Sequence, residues 1–329
     1  MNQTIKVTIG IVISVVFVLW LSGCGQAQLG QTKGATTNYS WRHNDSSLAL
    51  IKNNKVVWQF NFDEKYSKPY FHPLSLTDGT ELTWLRPPDH IWHRALWFSW
   101  KYINGLNYWE EEPETGRSEG ITELLNVKTI PNKDYSAKIE TKIIYHPPGK
   151  PSVLTEKRMI AVHPPDEDGC YRIDWQSTFT AGGEDVILDR TPIMGEQNGK
   201  SWGGYAGLSA RLAKNASDWQ VIDSQGRRDL EANEKHSRWL DFSLKTSSGN
   251  IGGIAMFDHP ENPRHPSPWY VIMAEPMRYF SPAFLFYKPY TLPAGKSFIL
   301  QYRILIHPGR SKPELMEKEW NIFKRKTRK

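Results

Sequence analysis

Period-two alternation of apolar and polar residues constrains this chain more than any other feature. It recurs in AKIETKIIYH, SVLTEKRMIAVH, CYRIDWQSTFTA, SRWLDFSLKT, NIGGIAMFDH and KSFILQYRILIH, each bounded by Gly, Pro, Asn or Asp. Successive side chains of a strand point to opposite faces, so this pattern predicts half-buried antiparallel strands. In LALIKNNKVVWQFNF, residues 48–62, the pair Asn53-Asn54 separates two apolar-rich runs. Asparagine tolerates positive φ, so the pair predicts a tight hairpin. A second hairpin is expected around PPDEDG, with a loop too rich in proline to be regular. One helix is expected near Pro313–Lys326, where Met316, Trp320 and Phe323 share a face. No repeat of fixed period and no internal linker is visible. The fold class expected is all-β: a large antiparallel β-sandwich over residues 38–310, followed by a short C-terminal helix and basic tail over 311–329.

The N-terminus carries Lys6, an apolar run from Val7 to Leu21 that is short for a membrane span, and then small residues. This reads as an export signal over residues 1–23. Leu21-Ser22-Gly23-Cys24 has the form of a bacterial lipobox, so lipidation of Cys24 is expected, with residues 24–37 as a flexible polar tether. The expected location is the cell envelope, lipid-anchored. No acidic residue directly follows Cys24, which fits sorting to the outer membrane. With Cys24 acylated, Cys170 is the remaining cysteine and no intrachain disulfide is possible, so the fold must rest on its core. The formal charge is +6, of which residues 311–329 supply +4. The body is nearly neutral, and nucleic acid is not an expected partner.

Two segments carry chemistry. RPPDHIWHRALWFSW, residues 86–100, holds two arginines, two histidines, an aspartate and three tryptophans beside Pro87-Pro88. Proline nitrogens cannot donate to a ladder, so Asp89–Arg94 should form a loop or sheet edge before a buried strand in ALWFSW. FDHPENPRHPSPW, residues 257–269, repeats the composition with Asp258, His259, Arg264, His265 and Trp269 among prolines. Stiffened loops on a rigid sheet can hold polar groups preorganised, and the expectation is that both face one cavity.

Histidine titrates near neutrality, so His90, His93, His259 and His265 are candidate acids and bases, with Asp89, Asp258 and Glu196 as carboxylate partners. Trp92, Trp97, Trp109, Trp202 and Trp269 offer flat apolar faces to sugar C–H groups, and Arg86, Arg94 and Arg264 could grip hydroxyls or a carboxylate. The structural alternatives are that Asp89 and Asp258 orient the following histidine and that Arg94 and Arg264 pair with those aspartates. His72, His146, His163 and His307 read as ordinary loop residues. The histidine loops contain enough donors for a two-histidine, one-carboxylate metal site, but His-x-x-His spacing is weak and no metal cofactor is expected.

KPYFHPL, DGTELTWLRPPDHIWHRALWFSW, NGLNYWEE, GGYAGLSAR, FDHPENPRHPSPWYV and LQYRILIHPG together resemble the bacterial family DUF6807 from about Tyr39 to Gly309. The resemblance implies a β-supersandwich of the galactose-mutarotase type and a setting of carbohydrate degradation. Members also carry the label methane oxygenase PmoA. Subunits of that oxygenase have several spanning helices, whereas this sequence has no long apolar segment after Cys24, so oxygenase activity is not expected. The reading is an envelope lipoprotein acting on a small-molecule carbohydrate or sugar derivative by His/carboxylate acid–base chemistry of the hydrolase, lyase or epimerase type. A non-catalytic carbohydrate binder and a metal-dependent enzyme remain open alternatives.

Overall fold

A computed structural model describes residues 39–63 and 68–325. The expected export signal, the expected lipidation site Cys24, the expected tether and the last four residues of the chain lie outside the described residues. Along the chain run β1 (Tyr39–Asn44), β2 (Ser47–Lys52), β3 (Lys55–Asn61), β4 (Tyr70–Leu74), β5 (Leu96–Ser99), β6 (Tyr102–Ile103) and β7 (Leu106–Asn107). There follow β8 (Ile121–Pro131), β9 (Ala137–His146), β10 (Leu154–Val162), β11 (Tyr171–Ala181), β12 (Val186–Asp189), β13 (Gly207–Arg211) and β14 (Ser217–Asp223). The last elements are β15 (Trp239–Lys245), β16 (Ile251–Asp258), β17 (Trp269–Met273), β18 (Arg278–Pro282), β19 (Tyr290–Leu292), β20 (Ser297–Pro308) and the helix α1 (Pro313–Phe323).

Two eight-stranded antiparallel sheets form the body, in the orders β1-β2-β3-β4-β5-β13-β18-β17 and β14-β15-β16-β20-β11-β10-β9-β8. A four-stranded sheet, β19-β12-β6-β7, lies beside them. The all-β expectation holds, and each alternating segment is a strand. Asn53 and Asn54 turn between β2 and β3 with φ of 49° and 65°, the left-handed conformation a two-residue hairpin needs. β10 and β11 pair as the second hairpin, from Leu154 opposite Ala181 to Val162 opposite Ile173.

Alternation divides each sheet into an inner and an outer face. Leu96 and Phe98 of β5, Leu208 and Ala210 of β13, Phe280 of β18 and Val271 of β17 enter the main core with Ile254, Met256, Ile304 and Ile306 from the other sheet. Their neighbours point the other way. Trp97, Tyr279 and Tyr270 gather with Tyr70, Trp109, Ala283 and Phe286 in a second, aromatic cluster on the outer face of the first sheet. Trp239, Ala255, Phe257 and Leu305 form the outer face of the second sheet and receive Met316, Trp320 and Phe323 of α1. The outer faces are therefore covered over part of each sheet, at β5, β17 and β18 by aromatic loops and at β15, β16 and β20 by a helix, while the outward positions of β9 and β10 stay partly exposed. Arg172 and Arg303 fasten that helix by ion pairs to Glu319.

Candidate functional site

The aromatic cluster on the first sheet opens into a cavity of about 430 Å³. Its floor comes from the outward positions of β17 and β18, namely Tyr270, Ile272 and Tyr279, and its walls from three loops. The segment before β5 brings His90, Trp92 and His93; the segment after β7 brings Trp109 and Glu110; the loop between β12 and β13 brings Trp202 and Tyr205. Met277, from the turn between β17 and β18, completes the rim. Trp202 is 51% exposed, a large indole left open to solvent at the cavity. Tyr270 fixes this loop by donating its hydroxyl to the Trp202 carbonyl at 3.1 Å.

The loop conformation follows from Pro87-Pro88. With no ladder possible there, the chain turns, His90 N donating to Pro87 O at 3.0 Å and His93 N to His90 O at 2.9 Å. That turn places the two imidazoles together, centroids 4.6 Å apart. His90 Nδ1 donates to Asp89 Oδ2 at 2.8 Å, and Arg211 Nη2 donates to both Asp89 oxygens at 2.9 and 2.7 Å. Arg211 is fully buried on the outward side of β13 and lies over Trp84. Burial alone would raise the Asp89 pKa, but hydrogen bonds from His90 and Arg211 outweigh it and hold the carboxyl below its ordinary value. Neutral His90 thus keeps its proton on Nδ1 and leaves Nε2 as the basic nitrogen.

His93 is 2% exposed and lies beside Trp97 and Tyr279, with centroids 5.0 and 5.4 Å away. Burial, reinforced by the positive charges of Arg211 and Lys68 and by that of His90 when its ring is protonated, pushes its pKa well below the ordinary value. It is held neutral, and its Nδ1 is buried without a hydrogen-bond partner. Glu110 accepts a hydrogen bond from Tyr205 at 2.9 Å and pairs with Lys101. Burial by itself would raise its pKa; Lys101 more than offsets this, and the carboxyl stays ionised.

The remaining expected residues go elsewhere. Arg94 does not pair with Asp89: it donates to both oxygens of buried Glu111 at 2.8 and 2.7 Å, and Arg86 and Lys68 each reach the same carboxylate at 3.2 Å. This group stitches the loop beneath the cavity, and burial of Lys68 lowers its pKa to about 8. Trp97 lies under the cavity, 1% exposed. Glu196 is bound by Arg190 at 2.5 Å and by the Ile193 N–H at 3.0 Å, a turn-closing role.

The Asp258–Trp269 segment does not join this cavity. Asp258 ends β16 and is fully buried, accepting from His265 Nδ1 at 2.8 Å, Asn262 Nδ2 at 2.7 Å and Ser267 N at 2.7 Å. His265 stacks on Trp320, and His259 meets Phe323 edge-on, so both imidazoles serve the helix-covered face of the second sheet. Arg264 donates to the carbonyls of Phe284, Lys288 and Pro289, not to Asp258. Trp269 is buried in the main core with Nε1 on Ser237 O. Asp258 orients His265, seven residues on, and not the adjacent His259. The physical reason for the separation is that β16 and β17 belong to different sheets, so the loop crosses the sandwich edge.

Reading the sequence alone missed Arg211, Glu110, Tyr205, Tyr270 and Tyr279. Alternation in WYV and RYF was a usable signal for the two strand tyrosines, each between two core-facing or buried neighbours; Arg211 and Glu110 owe their place to long-range pairing. Of the histidines expected in loops, His72 lies in β4, His146 ends β9 and His307 is buried in β20 with Nε2 2.8 Å from Asp241. Among the described residues, no group of three or more His, Cys, Asp or Glu is placed to hold a metal ion, and no helix is long and apolar enough to cross a membrane.

Three solved structures are similar over most of the chain. The galactosidase domain of alpha-galactosidase-sucrose kinase, AgaSK, is 9% identical with a TM-score of 0.40, covering 83% of this chain and 42% of its own. A TPR-domain containing protein from Parabacteroides distasonis is 10% identical with a TM-score of 0.25, covering 84% and 48%. A galactose mutarotase related enzyme from Lactobacillus acidophilus is 14% identical with a TM-score of 0.24, covering 82% and 97%. The chain spans less than half the length of the first two, and likenesses this distant carry no functional argument. No curated protein matches the sequence. The model of the family of unknown function DUF6807 matches residues 47–321, and the chain belongs to that family.

Proposed function

We propose that this protein binds and transforms a carbohydrate or sugar-derived molecule in the aromatic cavity, with His90 as its acid–base group. The observation that carries this is the chain Arg211–Asp89–His90, which runs from a buried strand to a histidine on the wall of a cavity lined by six Trp and Tyr side chains. Indole and phenol faces pack against the C–H faces of a sugar ring. His90 Nε2 can take a proton from a hydroxyl or from carbon and return it, while Asp89 stabilises the imidazolium formed between the two steps. The Glu110 carboxylate, held ionised by Lys101, accepts hydrogen bonds from further hydroxyls.

The test is a panel of neutral glycosides followed by product analysis. His90→Ala should lower turnover by about 10²–10⁴-fold, the usual contribution of a positioned acid or base. Affinity without product, in the unaltered protein, would establish the non-catalytic binder. The lipid anchor is a separate proposal, supported by Leu21-Ser22-Gly23-Cys24 behind its apolar run. Palmitate labelling in a bacterial host should mark the protein and disappear in Cys24→Ala; fractionation should find it in the outer membrane.

A further inference from the structure

We infer that the aromatic cavity selects uncharged ligands and rejects sugar acids: its ligand is a neutral ring that donates hydrogen bonds to Glu110 and His90. This rests on the carbohydrate reading above and narrows it.

No lysine or arginine is among the described residues that line the cavity. The nearby cations lie behind the walls, each already facing a carboxylate: Lys68 and Arg94 on Glu111, Arg211 on Asp89, Lys101 on Glu110. Arg86 and Arg264, the other candidates for gripping an acid, lie on Glu111 and on three backbone carbonyls. What reaches the cavity is acceptor chemistry and π faces. Among the described lining residues Glu110 is the one carboxylate, and it is ionised. His90, with Nδ1 committed to Asp89, keeps its Nε2 lone pair free when neutral, and His93 is buried and stays neutral.

A carboxylate brought into this cavity would lose water, meet ring faces whose quadrupole is negative, and approach Glu110 with no lysine or arginine on the wall to offset the repulsion. Juxtaposing like charges in a desolvated site costs enough to set specificity. A neutral hydroxyl at the same place donates to Glu110 instead. Trp202, half-exposed at the rim, supplies an apolar face without adding charge.

The experiment is isothermal titration of the full chain with matched 4-nitrophenyl glycosides of the gluco, galacto and manno series, each neutral glycoside set against the uronide that differs only by the C6 carboxylate. The expected result is at least ~10-fold tighter binding of the neutral member in the series that binds. A uronide that binds as tightly as its neutral partner would overturn the selectivity and leave the carbohydrate reading standing. No binding of any member would overturn the carbohydrate reading itself, and the inference with it. Glu110→Gln, checked for an unchanged melt, should bring the two members within about threefold, because Lys101 then faces the cavity without its carboxylate. Undiminished discrimination in that variant would contradict the role given to Glu110. Should it fail to fold, the matched pairs in the unaltered protein still decide the question.

Discussion

Asp89 and Asp258 each hold a histidine through Nδ1 at 2.8 Å, and each opens a segment rich in proline, arginine and tryptophan. The environments separate their roles. Side-chain exposure is 33% for His90, on a cavity wall, and 16% for His265, under the Trp320 indole. His90→Ala should therefore give the large loss of turnover stated above while the thermal melt stays nearly unchanged. Asp89→Asn should behave similarly, since it weakens the bond that sets the His90 tautomer. His265→Ala should do the reverse: it strips one donor from a fully buried carboxylate and costs about 1–3 kcal/mol of stability, with ligand binding intact. Denaturant titration, a binding isotherm and a turnover assay on the same samples check all three. If His265→Ala lost binding without losing stability, the assignment of the two histidines would be reversed.

At the scale of elements, the legible features were those written locally. Alternation in β9, β10, β11 and β20 marks one side of each strand as core, and Asn53-Asn54 states its own turn. The helix was legible because Met316, Trp320 and Phe323 recur at helical spacing. What could not be read is which outer face each loop covers. Ser209 stands opposite Trp97 and Arg211 opposite Tyr279 only because β13 pairs with β5 and β18, contacts between residues more than sixty positions apart. The same local composition therefore produced one loop at a cavity and one under a helix. Trp320 ties the second arrangement together, donating from Nε1 to Asp258 O at 3.2 Å and packing against both His265 and Arg238. Trp320→Ala should cost about 3–5 kcal/mol and leave the aromatic cavity functional. Equilibrium unfolding measures the first part, and loss of binding in the folded fraction would contradict the second.

For the whole molecule, the balance of buried histidines sets its acid stability. Burial lowers the His72 pKa to about 4 and carries that of His93 well down as well. Glu81, 3.7 Å from His72 and half-exposed, is too weak a partner to reverse this. Both groups are neutral in the fold, so as pH falls below 6.5 the unfolded chain binds protons first. Their contribution is full above 6.5 and is lost as pH falls toward 4, further still for His93. His307 acts in another window. Burial would lower its pKa, but the Asp241 carboxylate more than offsets that and raises it, so its contribution is complete below 6.5 and is lost as pH rises through the folded value. Stability between pH 6.5 and 5 should thus fall by roughly 1–2 kcal/mol per buried neutral histidine. Denaturant midpoints at several pH values, for the unaltered protein and for His72→Gln, measure this slope; an unchanged slope in the variant would remove His72 from the account.

The most direct test is the structure of a crystal soaked with a neutral glycoside that binds in solution. The sugar ring should lie against the indoles of Trp109 and Trp202, with a hydroxyl within hydrogen-bonding reach of His90 Nε2 and another near Glu110. A ligand seated instead among His259, His265 and the C-terminal helix would contradict it.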